Sequence, residues 1–169
     1  SKTIHFMLRA STSLPPTDEI PAYDAAWLGI TLGDEGEFTL YRATQGGHLK
    51  LYPGLVKRAL AGEGEVLRQA HDSRRNDTVS HRLLDAIGLA KKWVVRDGNG
   101  KKDSLSIRLL SKYAVVAEDD IMSEDSPVFL SGTPAERTFE RNLFKLLLTG
   151  KDDAAAVTLP KEKEGKAAK

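Results

Sequence analysis

Two stretches near the start of the chain alternate apolar and polar residues, the pattern of half-buried strands. Trp27 to Leu32 and Phe38 to Arg42 are rich in strand-forming residues, and the turn cluster Gly33-Asp34-Glu35-Gly36 between them suits a hairpin. His48 to Tyr52 follows the turn Gln45-Gly46-Gly47 and reads as a third strand. Together they predict a β-meander, with Phe38 and Leu40 on one face and Thr39 and Tyr41 on the other.

The remaining apolar positions fall at helical spacing. Ile4, Met7 and Leu8 share one helical face with Phe6 beside it, and the Leu14-Pro15-Pro16 step ends any such helix. Residues 61–77 are polar and contain Arg74-Arg75-Asn76-Asp77, so much of this stretch reads as an exposed loop. Asp77 or Thr78 can cap a helix through Ile87, with Val79, Leu83 and Ile87 stacked and Gly88 at its left-handed end. Trp93 to Val95 is a strand candidate, closed by the turn Asp97-Gly98-Asn99-Gly100. Ser104 is placed to start a helix with Leu105, Leu109 and Tyr113 on one face, and Val115-Val116 favours a return to extended chain. A last helix is predicted over 134–149. Thr133 serves as N-cap, Pro134 as first helical residue and Glu136 as partner in a capping box. Phe139, Leu143, Leu146 and Leu147 form its apolar stripe, and Gly150 stops it. The fold class is therefore α/β, a β-meander packed with helices. Residues 1–157 make one domain, and 158–169, ending in KEKEGKAAK, are a charged tail without a core pattern.

Composition narrows the chemistry. The chain has 169 residues, enough to bury a real core, with 40% apolar and 29% charged residues. A formal net charge of +1 gives no overall basic field for nucleic acid. Without cysteine, thiol catalysis and disulfides are excluded, and His and carboxylates are the strong side-chain metal ligands left. No apolar run is long enough to cross a bilayer, so no membrane partner is expected and a cytoplasmic setting is. His5, His48, His71 and His81 are scattered, and no paired spacing marks a metal site. Ser1-Lys2-Thr3 has the residue types that end a phosphate-binding loop, but the glycines such a loop needs are not in the sequence, and the plain reading is preferred. Glu118-Asp119-Asp120 with Glu124-Asp125 is an acidic cluster at an apparent strand exit. Such carboxylates can hold Mg²⁺ or orient a water, while a solvated acidic loop is the favoured alternative. Lys91-Lys92 and Lys101-Lys102 flank the Trp93 strand and read as solubilising hairpin ends before they read as a phosphate contact.

Five segments, in order, resemble the N-terminal lobe of the ABC-type ATPase head in bacterial SMC-like and double-strand-break-repair ATPases. IHFMLRA (4–10) resembles the segment that follows the phosphate-binding loop, and WLGITL with GEFTLYRATQGGHLKLY resembles the meander. LLDAIGL (83–89) resembles the short helix beyond it. SLSIRLLSKYAVVAEDDIMSEDSPV and ERTFERNLFKLLLTGKDD resemble the two segments that close the lobe. The resemblance implies a P-loop NTPase fragment whose glycine-rich loop would lie just before residue 1. Its signature and Walker B motifs would lie past a coiled coil that the tail begins. It implies ATP and Mg²⁺ in the intact parent and none for this chain alone. It also implies a C-terminal lobe or second head as partner, DNA contact through the parent, and work in DNA repair, chromosome maintenance or phage defence. Arg42 is placed to reach phosphate. Glu118 falls near the Q-loop position that helps hold Mg²⁺ and water, although many ABC ATPases have Gln there and this subgroup often has Asp where Ala117 stands. Two other functions stay open at this point: a non-enzymatic protein-binding module, and a metal-dependent hydrolase built on the Glu118 cluster.

Overall fold

A computed structural model of the chain describes residues 2–8, 13–14, 16, 18–33, 36–57, 64–116, 126 and 128–159. The fold is mixed α/β and resolves into two compact units, Ser1–Lys91 with Leu105–Ser123, and Lys92–Ser104 with Glu124–Lys169.

The first unit is built on an antiparallel sheet of β1 (Ala25–Leu32), β2 (Gly36–Ala43), β3 (Leu49–Pro53) and β4 (Glu65–Leu67), in that spatial order. The predicted meander is thus present. Its register sets Leu28 opposite Leu40, Leu40 opposite Leu51 and Arg42 opposite Leu49, and Leu49 faces Leu67 in turn. Directly opposed residues share a face, so these apolar side chains form one continuous layer. Leu40, Leu49, Leu51 and Leu67 are buried in it. On the other face Trp27 packs edge-on to Tyr41, with ring centroids 4.7 Å apart, and lies 5.9 Å from Tyr52. At its centre that face is covered by the chain after β3: Thr39 is buried, its hydroxyl donating to the Gly54 carbonyl at 2.7 Å and accepting from the Val56 amide at 2.9 Å.

Strand β4 corrects the reading of 61–77 as exposed loop. Only three residues pair, and only Leu67 among them turns inward, too short an alternation to read from sequence. Arg68 then bridges to Thr78 and brings the chain back. Helix α1 (Lys2–Met7) buries Phe6 and Met7, whereas Ile4, expected on its inner face, is 37% exposed. Six residues are too few for a stripe to settle the orientation; packing on β1 and β2 decides it.

Helix α2 (Val79–Ala86) begins as predicted, with the Thr78 hydroxyl accepting the His81 amide at 3.0 Å. It ends in a full Schellman turn. Leu89 N–H bonds the Leu84 carbonyl, Gly88 N–H bonds that of Asp85, and Gly88 takes the left-handed φ of 70°. Helix α3 (Ile107–Ala114) starts three residues after Ser104 and buries Ile107 and Ser111 in place of Leu109 and Tyr113. The Ser80 hydroxyl fixes this orientation by accepting the Ile107 amide at 2.7 Å. Val115 is extended, as its β-branching suggests.

The second unit pairs β5 (Trp93–Val95) with β6 (Lys102–Ser104) and packs α4 (Arg137–Thr149) against β5. Phe139, Leu143 and Leu146 are buried, while Leu147 is only half-buried. The Thr133 cap is not formed. The Thr133 hydroxyl lies 3.2 Å from that of Ser131, and the Glu136 amide bonds the Thr133 carbonyl, so residues 133–136 make a turn and the helix starts at Arg137. The glutamate needed for a capping box is engaged elsewhere, with Arg96 at 2.8 Å. In its place the buried Glu140 carboxylate reaches back to accept the Ser131 amide at 2.8 Å. Residues 160–169, and with them nearly all of the tail read as the start of a coiled coil, lie outside the described residues. Thr158 and Leu159, placed in that tail by the sequence reading, bond the hairpin at Gly100 and Asn99.

Candidate functional site

Arg42 ends β2 on the apolar face of the sheet and is only 2% exposed. A buried guanidinium must be paired, since it cannot lose its proton and its desolvation is costly. Here one terminal nitrogen donates to the Phe6 carbonyl and the other to the Gln69 side chain at 3.4 Å. The guanidinium carbon also lies over the Phe6 ring, 3.7 Å from its centroid. The Phe6 carbonyl belongs to the last turn of α1, where backbone acceptors lack helical donors and the dipole is negative. Arg42 therefore caps α1 from the sheet. The Gln69 amide passes the connection on by donating to the Gly47 carbonyl, in the Gln45-Gly46-Gly47 turn. Helix α1, the end of β2, the Gly-Gly turn and the segment after β4 meet at one charged group.

In this arrangement both terminal nitrogens of Arg42 face protein carbonyls, and the group is a buried internal cation. Glu118, the other residue singled out, lies outside the described residues with the rest of its acidic cluster. Phe6 and Gln69 were not foreseen as partners of Arg42. No local pattern marks Gln69, and the pairing spans 27 residues.

The segment LLLTGKDD has a structural meaning of its own. Gly150 takes a left-handed φ of 68° and ends α4, as expected, which turns Asp152 and Asp153 back onto β5. Val94 faces β6, so Trp93 and Val95 direct their backbone groups to the outer edge. All four of those groups are satisfied. The Asp152 carboxylate accepts the Trp93 amide at 3.2 Å and that of Asp153 the Val95 amide at 2.9 Å. The Asp153 amide donates to the Trp93 carbonyl at 2.8 Å, and the Asn142 side chain donates to that of Val95 at 3.1 Å. Lys145 pairs with the second Asp153 oxygen. The acidic turn thus closes the edge of a strand too short to be protected otherwise. Across the hairpin Arg96 joins Asp103 at 2.6 Å and Glu136 at 2.8 Å, and the Asp103 bond first, then the Glu136 charge, hold it firmly protonated.

Among the described residues the remaining titratable groups do not converge on a reaction centre. Among the described residues no group of three His, Asp or Glu gathers to hold a metal. Burial lowers the His71 pKa, partly opposed by Asp72 and reinforced by His81. Arg75 and Arg68 hold Asp77 well below the usual carboxylate range in an exposed cluster. Phe38, Leu51, Leu83 and Arg82 line a shallow apolar surface depression with no enclosed volume. Among the described residues no helix is long and apolar enough to cross a membrane. Comparison with protein-family models, with curated proteins and with solved structures returned no match to the chain.

Proposed function

We propose that this chain serves as the N-terminal lobe of an SMC-like, coiled-coil ABC ATPase head, working in DNA repair, chromosome maintenance or phage defence. The observation that carries the reading is the Arg42 junction. Helix α1, from the segment IHFMLRA, and the meander with its Gln-Gly-Gly turn, two parts of the resemblance, are joined through the buried Arg42 and its partner Gln69. In such a head the helix after the phosphate-binding loop has to be held rigidly, because the loop's backbone amides are aimed by it. A sheet-borne cation at the far end of that helix supplies this anchoring. Arg42 then acts on nucleotide through α1, as a positioning residue.

These 169 residues contain no GxxxxGKS/T loop, and that loop with Mg²⁺ supplies most of the affinity for ATP in this class. The chain alone accordingly has no hydrolytic activity, and its partner is the C-terminal lobe of the same ATPase or a second head. The test is an ATPase assay on a longer polypeptide that carries a glycine-rich loop ahead of Ser1, mixed with the C-terminal lobe. Turnover should appear, and Glu118→Ala should lower it more than it lowers ATP binding. Turnover by residues 1–169 alone, or none with both additions, speaks against the reading.

A further inference from the structure

The sheet edges of this chain are treated differently. The outer edge of β5 is closed by Asp152, Asp153 and Asn142. Strand β4 is three residues long, and the chain beyond it folds back through Arg68 and Thr78. Strand β1 is the exception. It is eight residues long, AAWLGITL, and carries no charge and no proline, the devices that keep an edge from pairing.

Its outer edge can be mapped. The Thr44 amide donates to the Asp24 carbonyl, so Asp24 and Thr44 are a hydrogen-bonded pair. With the β1–β2 register, Ala26, Leu28, Ile30 and Leu32 then bond to β2, and Ala25, Trp27, Gly29 and Thr31 point their amides and carbonyls outward. Among the described residues none of these outward groups has a backbone partner. Gly29 and Thr31 are exposed, and Leu28 and Ile30, although on the core face, remain only half-buried. The apolar layer stops one strand short of completion.

We propose that β1 is a pairing edge and that it takes the β1 strand of a second copy of this chain, antiparallel, across a two-fold axis at Gly29. The sequence is self-complementary in that register. Gly29 meets its own copy, Trp27 lies opposite Thr31, and Leu28 packs on Ile30 of the other strand, completing the buried face on both sides. Within β1 no charged pair opposes the association. At the axis Gly29 leaves room on the face where Leu55 already sits, since a Cβ there would come within 2.9 Å of the Leu55 side chain. The two sheets would join into one, by the same main-chain chemistry that adds strands to exposed edges elsewhere.

Light scattering of the 169-residue chain across a concentration series, with amide exchange read by NMR, decides the matter. A dimer is expected. The amides of Trp27, Gly29 and Thr31 should gain protection with concentration, while those of Leu28 and Ile30, already bonded to β2, should not change. Thr31→Pro removes an outward donor without touching the β2 ladder and should weaken dimerisation roughly tenfold or more. A monomer at all concentrations, a dimer with no added protection at those three amides, or a folded Thr31→Pro chain that dimerises as before overturns the proposal. Should Thr31→Pro fail to fold, the exchange pattern of the unsubstituted chain decides alone. A different strand captured in trans would appear as protection at these amides only when that partner is added, and would equally overturn self-pairing.

Discussion

Arg42 concentrates more of the structure in one side chain than any other residue described. Its guanidinium is buried and packed on the Phe6 ring, so its removal leaves the Phe6 carbonyl without this donor in a buried place and frees the half-buried Gln69 side chain. We expect Arg42→Ala to cost about 3 kcal/mol in urea unfolding, from lost charge-assisted bonds and lost packing. An unchanged midpoint would show that α1 is held by its apolar contacts alone. At the start of α4 the expected weights are reversed from the sequence reading. Thr133→Ala should change stability by no more than about 0.5 kcal/mol, as at an ordinary surface site. Glu140→Ala should cost about 2 kcal/mol, since it strips the Ser131 amide of a buried carboxylate partner. Equal losses in the two variants would restore Thr133 as the cap. His71 adds a pH dependence of definite sign. Its folded pKa is depressed, chiefly by burial, so below the ordinary histidine value the unfolded chain binds a proton that the folded chain resists. Stability should therefore fall as the pH drops through the histidine range, and His71→Gln should flatten part of that slope in a pH series of unfolding midpoints. An unaltered slope would remove His71 as the cause.

The elements divide by how local their causes are. The meander was legible because its strands are long, alternate, and are separated by glycine-bearing turns. Helix α2 was legible because Thr78 and Gly88 mark its ends within ten residues of one another. Strands β4 and β6 were not, since EVL and KDS offer neither alternation nor the run of strand formers that marks the equally short β5, WVV. The start of α4 was misplaced because Glu136, which has the right spacing for a capping box, is drawn away by Arg96, 40 residues distant. The acidic end of LLLTGKDD was visible as a motif but not as an edge closure, because the strand it closes lies some distance away in the chain. That closure is testable at the level of the element. Asp153→Ala should release the Val95 amide, raising its exchange rate selectively, and should destabilise the second unit by about 2 kcal/mol. Unchanged exchange at Val95 would mean that α4 packing alone keeps the edge closed.

At the scale of the whole molecule, the sequence reading of a functional site rested on two residues. Arg42 is buried between α1 and the segment after β4, bonded to the Phe6 carbonyl and the Gln69 side chain. Its partners came from segments with no shared local signal, so only the fold could bring them together. Glu118 lies outside the described residues. On the proposed function, the chain is one part of a nucleotide-binding head whose phosphate loop is not among these 169 residues. Titration calorimetry with Mg·ATP tests this most directly, comparing residues 1–169 with the same chain extended upstream by a glycine-rich loop. The account predicts no heat of binding at micromolar nucleotide for the chain alone, clear binding once the loop is joined to α1, and loss of that gain in Arg42→Ala. Micromolar binding by residues 1–169 without the loop would contradict it.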